Sequence, residues 1–199
     1  MPNDERVIML RGELVELGPL RRDLVDTYVR WMNDLDVIRT LGGTRMPMSR
    51  EMEERWLEGT LTSASDAVFT IYEKSTGRPI GNCDLHAIDA RRGTAEYGIV
   101  IGEKDAWGKG YGTEATRLML AYGFDVLGLQ NIMLRVYANN PAGVRAYERA
   151  GFRKVGVLRN AMPLGRTRID EIYMDAIPDD FPPSDLQTLL EHGPKLPGI

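Results

Sequence analysis

The chain has 199 residues, 43% of them apolar and 27% charged, a size at which one domain buries about two-thirds of its unfolded surface and a balance that excludes disordered and fibrous classes. Its formal net charge of −4 argues against nucleic-acid binding, which needs an excess of Lys and Arg to displace counterions, and favours a cationic partner. With Cys83 as the only cysteine, a disulfide within the chain is impossible, and a zinc site would have to come from two histidines and carboxylates, so no metal is expected.

The start, MPNDERVIML, carries Asp4 and Glu5 where a secretory leader needs positive charge, and no apolar run approaches the ~20 residues that span a bilayer. A cytoplasmic protein with no membrane association is expected. ELVELGPL (13–20) alternates like a strand and stops at Gly18-Pro19. Asp23 then stands where a cap precedes a helix carrying Leu24, Tyr28, Trp31 and Met32. LGGTRMPM (41–48) is a loop rich in breakers, and Ser49 opens a second helix to about Leu61.

From Ala67 the period changes to that of strands: 67–73, 80–89 after the turn 75–79, and 94–102, a three-stranded meander. A helix follows from about Tyr111 to Leu127, with Gly128 placed to end it. The run 131–138 reads as a strand, Asn140-Pro141 as a helix start and Gly151 as its stop. Segments 153–164 and 168–177 flank Gly165-Arg166-Thr167 as a terminal hairpin, and 178–199 is a proline-rich peripheral tail.

The stretch DAWGKGYGTEAT (105–116) places Gly108, Gly110 and Gly112 at the mouth of the long helix. A dinucleotide fingerprint needs glycine where Thr113 stands, and a P-loop needs Gly-Lys-Ser/Thr where Gly108-Lys109-Gly110 stands, so a nucleotide-dependent enzyme is disfavoured. Two readings of the loop remain: a flexible turn without ligand, or backbone N–H groups gathered at the positive end of a helix to hold a pyrophosphate.

The strand before this loop, the loop itself and the sequence Asn140-Pro141, Tyr147, Gly151-Phe152 after it together resemble the GCN5-related N-acetyltransferase (GNAT) superfamily. The resemblance runs over roughly residues 7–177 and is strongest to the branch of ribosomal-protein alanine and polyamine acetyltransferases. The family loop, Gln/Arg-x-x-Gly-x-Gly/Ala, is matched by Gly110 and Gly112, with Trp107 in the Gln/Arg place. The resemblance implies an α/β (α+β) fold: a mixed, mostly antiparallel sheet of about seven strands, a splayed central strand pair and helices on both faces. It implies one domain over 1–177.

It further implies that acetyl-CoA is the co-substrate, with its pyrophosphate on Gly108, Lys109, Gly110, Tyr111, Gly112 and Thr113. The backbone of Ile99, Val100 and Ile101 is then expected to bond the pantetheine amides and polarise the acetyl carbonyl. Gly98, inside that strand, marks a bulge or a close backbone approach. Asn140 caps its helix, with a cofactor contact as a second reading. Lys109 and Arg145 are candidates for the 3′-phosphate, with solvated surface charge as the alternative.

An attacking amine must be neutral, yet its pKa near 10 keeps it protonated at neutral pH. One base and one acid are therefore wanted. The resemblance places Tyr147 near the thioester sulfur as the acid, against a reading as core. The resemblance also makes Glu96, fourteen residues before Gly110, the candidate base, directly or through water, with Asp84, His86, Asp170 and Glu171 as competitors. Cys83 is read as a buried small side chain, and His86 and His192 lack ligand spacing. In the acceptor region, residues 20–62, Glu51, Glu53, Glu54, Asp34 and Asp36 can draw a cation but read first as a wet helix face.

The function expected is transfer of acetyl from acetyl-CoA to a primary amine, on a small molecule such as a polyamine or on a protein N-terminus, in a ternary complex. The alternative is a non-catalytic CoA-binding sensor or structural module of the same fold. A homodimer is compatible with the family.

Overall fold

The computed structural model describes residues 6–42, 46–182 and 184–193. The acidic start read as lacking a leader (1–5) and the middle of the breaker-rich loop (43–45) lie outside the described residues. Among the described residues, eight strands form one sheet in the order β1-β2-β3-β4-β5-β6-β8-β7. They are β1 (Leu10–Arg11), β2 (Val15–Pro19), β3 (Ala67–Glu73), β4 (Pro79–Asp89), β5 (Thr94–Ile101), β6 (Asn131–Tyr137), β7 (Arg153–Leu164) and β8 (Thr167–Ala176). All neighbours are antiparallel except β5 and β6.

The α-helices among the described residues are α1 (Val25–Met32), α2 (Leu35–Ile38), α3 (Arg50–Leu61), α4 (Tyr111–Ala121), α5 (Pro141–Ala150) and α6 (Asp185–His192). Alternation along β3 shows why helices occupy both faces of the sheet. Phe69 and Ile71 enter the main core with Ala115, Met119 and Leu120 of α4, whereas Thr70 reaches the other way, its hydroxyl 2.7 Å from that of Tyr28 on α1. There Tyr28, Trp31, Val25, Leu20 and Leu57 build a second, smaller apolar cluster between α1 and α3.

Five departures from expectation have local causes. The strand read over 13–20 begins at Val15, because the N–H groups of Glu13 and Leu14 donate to the carboxylate of Glu114, and the two-residue β1 before it is the eighth strand. Asp23 is not a helix cap: it lies in a 3-10 turn (Arg22–Leu24) and binds Arg21 at 2.6 Å. Asp34 caps the one-turn α2, accepting from Asp36 N–H at 2.9 Å. The long helix stops at Ala121 and continues as a wide π-turn, Tyr122–Val126, that sets Tyr122 and Phe124 into the core. The tail carries α6, capped by Ser184, and Phe181 packs edge-on against Phe124 at 5.7 Å.

Candidate active site

β5 pairs with β6 only through Thr94↔Asn131, Ala95↔Ile132 and Glu96↔Met133. Beyond Glu96, β5 stays in register with β4 as far as Gly81↔Ile101, while β6 follows β8. The two central strands therefore part, and a cleft of about 1040 Å³ opens between them. One edge of the backbone over Tyr97–Ile101 is left without a strand partner, and unpaired backbone groups of this kind seek a ligand.

Gly98 marks a close approach rather than a bulge. It lies opposite Asp84 in unbroken register, and a Cβ there would meet the Asp84 carboxylate oxygen at 2.6 Å. Asp84 in turn takes His86 Nδ1 at 2.5 Å, and His86 Nε2 lies 3.8 Å from Glu96. Hydrogen bonding to Asp84, against the opposing effect of burial, raises the His86 pKa above its ordinary value.

At one end of the cleft, β5 leads through a 3-10 turn (Lys104–Ala106) into the glycine loop. Trp107, in the family's Gln/Arg place, donates Nε1–H to the Ile101 carbonyl at 2.8 Å and ties the loop to the strand. Gly108 and Gly110 have φ of 74° and 88°, left-handed values that side chains resist. Gly110 is the N-cap of α4 and supplies no capping side chain. Among the described residues, none of the backbone N–H groups from Gly108 to Thr113 has a hydrogen-bond partner. Converging free donors at the positive end of a helix dipole fit a diphosphate.

Two carboxylates brace this cradle. Tyr111 Oη donates to Glu73 at 2.5 Å, and Thr76 donates to the same carboxylate at 2.7 Å, which together hold the Glu73 carboxyl below its ordinary pKa. Glu114, in the first turn of α4, accepts from the backbone N–H groups of Glu13, Leu14 and Val15 at 2.9, 2.7 and 2.7 Å. Neither brace was read from the sequence, since each joins residues with no local pattern.

Across the cleft, α5 starts as its residues dictate: Asn140 Oδ1 accepts from Gly143 N–H at 2.9 Å and Pro141 occupies the first turn. Its Tyr147 stacks edge-on against Tyr97 (6.3 Å) and Phe152 (6.1 Å). The ring is thus packed core, yet the residue lines the cleft and its hydroxyl has no hydrogen-bond partner among the described residues. Burial, with the charge of Asp84 as a lesser cause, pushes its pKa up to about 12, so the phenol keeps its proton.

Glu96 sits where the strands part. Arg135 Nε donates to one of its oxygens at 2.7 Å, and the carboxylate side chain is 21% exposed. Ile99, Val100, Ile101, Gly108, Gly110, Tyr111, Gly112, Thr113, Asn140, Arg145, Tyr147 and Glu96 all line this one cleft. Lys109 does not. Of the competing bases, Asp84, His86 and Glu171 line it, while Asp170 instead accepts the Asn160 N–H at 2.9 Å. Cys83 is buried, with its thiol pushed well up by desolvation.

The acidic residues of the acceptor region divide. Asp34 and Asp36 hold Lys104 at 2.8 and 3.1 Å, and Glu54 holds Arg50 at 2.8 Å. Glu51 is exposed. Glu53, read with them as a wet face, is 3% exposed and lines the cleft. Among the described residues no helix is long and apolar enough to cross a membrane, and no cluster of His, Cys, Asp and Glu has the arrangement of a metal site.

Residues 15–153 match the family model of the acetyltransferase (GNAT) domain. The chain is 34% identical over 168 residues to an uncharacterized N-acetyltransferase of Bacillus licheniformis, covering 83% of this chain and 93% of that one. It is 27% identical over 161 residues to the human alpha/beta-tubulin N-acetyltransferase 9, covering 74% of this chain and 76% of that one. Among solved structures, the spermidine N-acetyltransferase of Vibrio cholerae, crystallised with CoA and spermine, superposes with a TM-score of 0.79 at 22% identity, covering 85% of this chain and 99% of that one. A GCN5-related N-acetyltransferase of Brucella melitensis gives a TM-score of 0.71 at 28% identity, over 96% of this chain and 86% of that one. With the parted strands and the bare N–H cradle in place, these matches make the chain a member of the GNAT family, an N-acetyltransferase that moves an acetyl group onto an amine.

Proposed function

We propose that the protein transfers acetyl from acetyl-CoA to a primary amine by direct attack within a ternary complex. The observation that carries this reading is the row of unpartnered N–H groups over Gly108–Thr113 at one end of a cleft that also contains Tyr147 and Glu96. When bound, acetyl-CoA supplies the activated acetyl thioester. Every other requirement falls on the chain.

The N–H groups of the loop bind and anchor a diphosphate, with Arg145 at the cleft wall as a supporting cation. The free backbone edge of Ile99–Ile101 orients amides lying along it and offers donors to a carbonyl. Tyr147, a phenol that holds its proton and points it at no protein acceptor, serves as the acid. Glu96 serves as the base. Arg135 fixes one oxygen, leaving the other, on the His86 side, to take the amine proton directly or through water. A charged His86 would occupy that second oxygen, so deprotonation of His86 favours the reaction. The lone buried thiol of Cys83 needs no place in a direct transfer, and a chain with a single cysteine suits the cytoplasm.

Free-thiol release from acetyl-CoA with a panel of amines tests the reaction. Glu96→Gln should lower turnover about 10²-fold or more with acetyl-CoA affinity unchanged, and turnover equal to wild type would remove Glu96 from the role.

A further inference from the structure

Three carboxylates are buried among the described residues. Glu73 accepts from Tyr111 and Thr76, and Glu171 from Tyr173 at 3.1 Å. Glu53 has neither a hydrogen bond nor an ion pair to its side chain. A carboxylate with no protein partner and little contact with water is unfavourable, and burial raises its pKa. A cation supplied from outside the chain would offset that cost.

Its placement follows from the helix. Ser49 caps α3, and Leu57, one turn after Glu53 on the same face, is locked into the cluster with Tyr28 and Trp31 of α1. Glu53 is thus held at the α1–α3 junction, where it lines the same cleft as Glu96 and Tyr147. The cleft that Glu53 lines also includes Tyr28, Trp31, Met32, Met48, Trp56 and Val68 of the α1–α3 side, with Asp36, Arg39 and Thr40 among its polar groups. Aromatic faces favour a cation, while thioether and aliphatic groups favour methylenes and offer a peptide backbone no partners.

We propose that Glu53 is the anionic end of an acceptor subsite that takes a second, distal ammonium group, so that the acceptor is an aliphatic diamine or longer polyamine with one amine at Glu96 and another at Glu53. This rests on the reading of the cleft as an amine acetyltransferase site. It adds a specificity residue that sits away from the reacting atoms.

The test measures dissociation constants by titration calorimetry in the presence of CoA, using 1,5-diaminopentane and pentylamine, which differ only in the distal ammonium. The wild type should prefer the diamine by about tenfold to a hundredfold, the range for a hydrogen bond to a charged group. Glu53→Gln should abolish that preference. Glu53→Leu, an apolar replacement that removes an unpaired buried charge and so is expected to fold, should abolish it as well. Equal affinities in the wild type, a preference that survives both variants, or tighter binding of a Ser-Lys dipeptide than of the diamine would each overturn the subsite. Thiol release with the same amines separates the two levels. Transfer to both amines with no diamine preference sinks the subsite alone, whereas a Glu53-dependent preference without transfer supports the subsite and sinks the catalytic reading.

Discussion

The two halves of the cleft are built on different principles. The half made by β5, α4, β6 and α5 presents main chain: bare N–H groups of the glycine loop and an unpaired strand edge, with side chains used mainly to brace them. The half made by α1 to α3 presents side chains, with Glu53 among aromatic and thioether groups. A backbone cradle serves one fixed ligand with almost any neighbouring sequence. A side-chain pocket can be retuned by single substitutions, so on the proposed reading constancy of the donor and choice of the acceptor fall to separate walls.

The largest expected effect probes the junction of the halves. Tyr147→Phe should lower turnover about 10²-fold or more, within the range of general acid catalysis, while leaving acetyl-CoA affinity in place; turnover equal to wild type in steady-state assays would return Tyr147 to the core. Next, Glu114→Ala strips acceptors from three backbone N–H groups and should cost about 1–3 kcal/mol, visible as a lower Tm and chiefly as a loosening of β2. Gly110→Val forces a β-branched residue into φ of 88° at a cost of about 1–2 kcal/mol and should weaken acetyl-CoA in calorimetry by about tenfold. If it instead spared the donor and harmed the acceptor, the division of labour between the walls would be broken.

Smaller effects sharpen the acceptor wall. Glu53→Gln should raise stability by about 1 kcal/mol, or about 2–4 °C in Tm. The sign in pH follows from linkage. Glu53 has a raised folded pKa, so between its unfolded and folded values the native state binds more protons, and stability falls as pH rises through that window. The Gln variant should lack this fall. His86 also has a raised folded pKa, through its bond to Asp84, so its contribution is complete below its unfolded pKa and is lost as pH rises through the folded one. With 40% of its side chain exposed, screening keeps this contribution below about 1 kcal/mol, and denaturant titrations of His86→Gln at several pH values should show the dependence disappear.

Most of the backbone geometry of the glycine-loop wall was legible because it is local. Gly108, Gly110 and Gly112 before a helix, and Asn140-Pro141 before another, declare backbone geometry in a few consecutive residues. The long alternating runs of β3 to β8 were equally plain. What escaped depends on partners remote in sequence: Glu114 reaching residues 13–15 across the fold, β1 at two residues too short to alternate, and the π-turn at Tyr122–Val126, which keeps a helical composition. Glu53 was misread because a run of charges on a helix shows period but not which neighbour covers it. Only the packing of Leu57 onto α1 turns that face inward.

The grip of Glu114 on the amino-terminal turn also matters for ligand capture. On the proposed reading an acidic side chain in the first turn of α4 stands near the diphosphate, and like charges in proximity repel. By accepting three N–H groups from residues 13–15, that carboxylate has its charge partly offset by their dipoles. If the loop holds an anion as proposed, the first hairpin of the chain is an electrostatic shield for that port as well as the edge of a sheet, and shortening the chain ahead of Val15 would arm the port against its ligand.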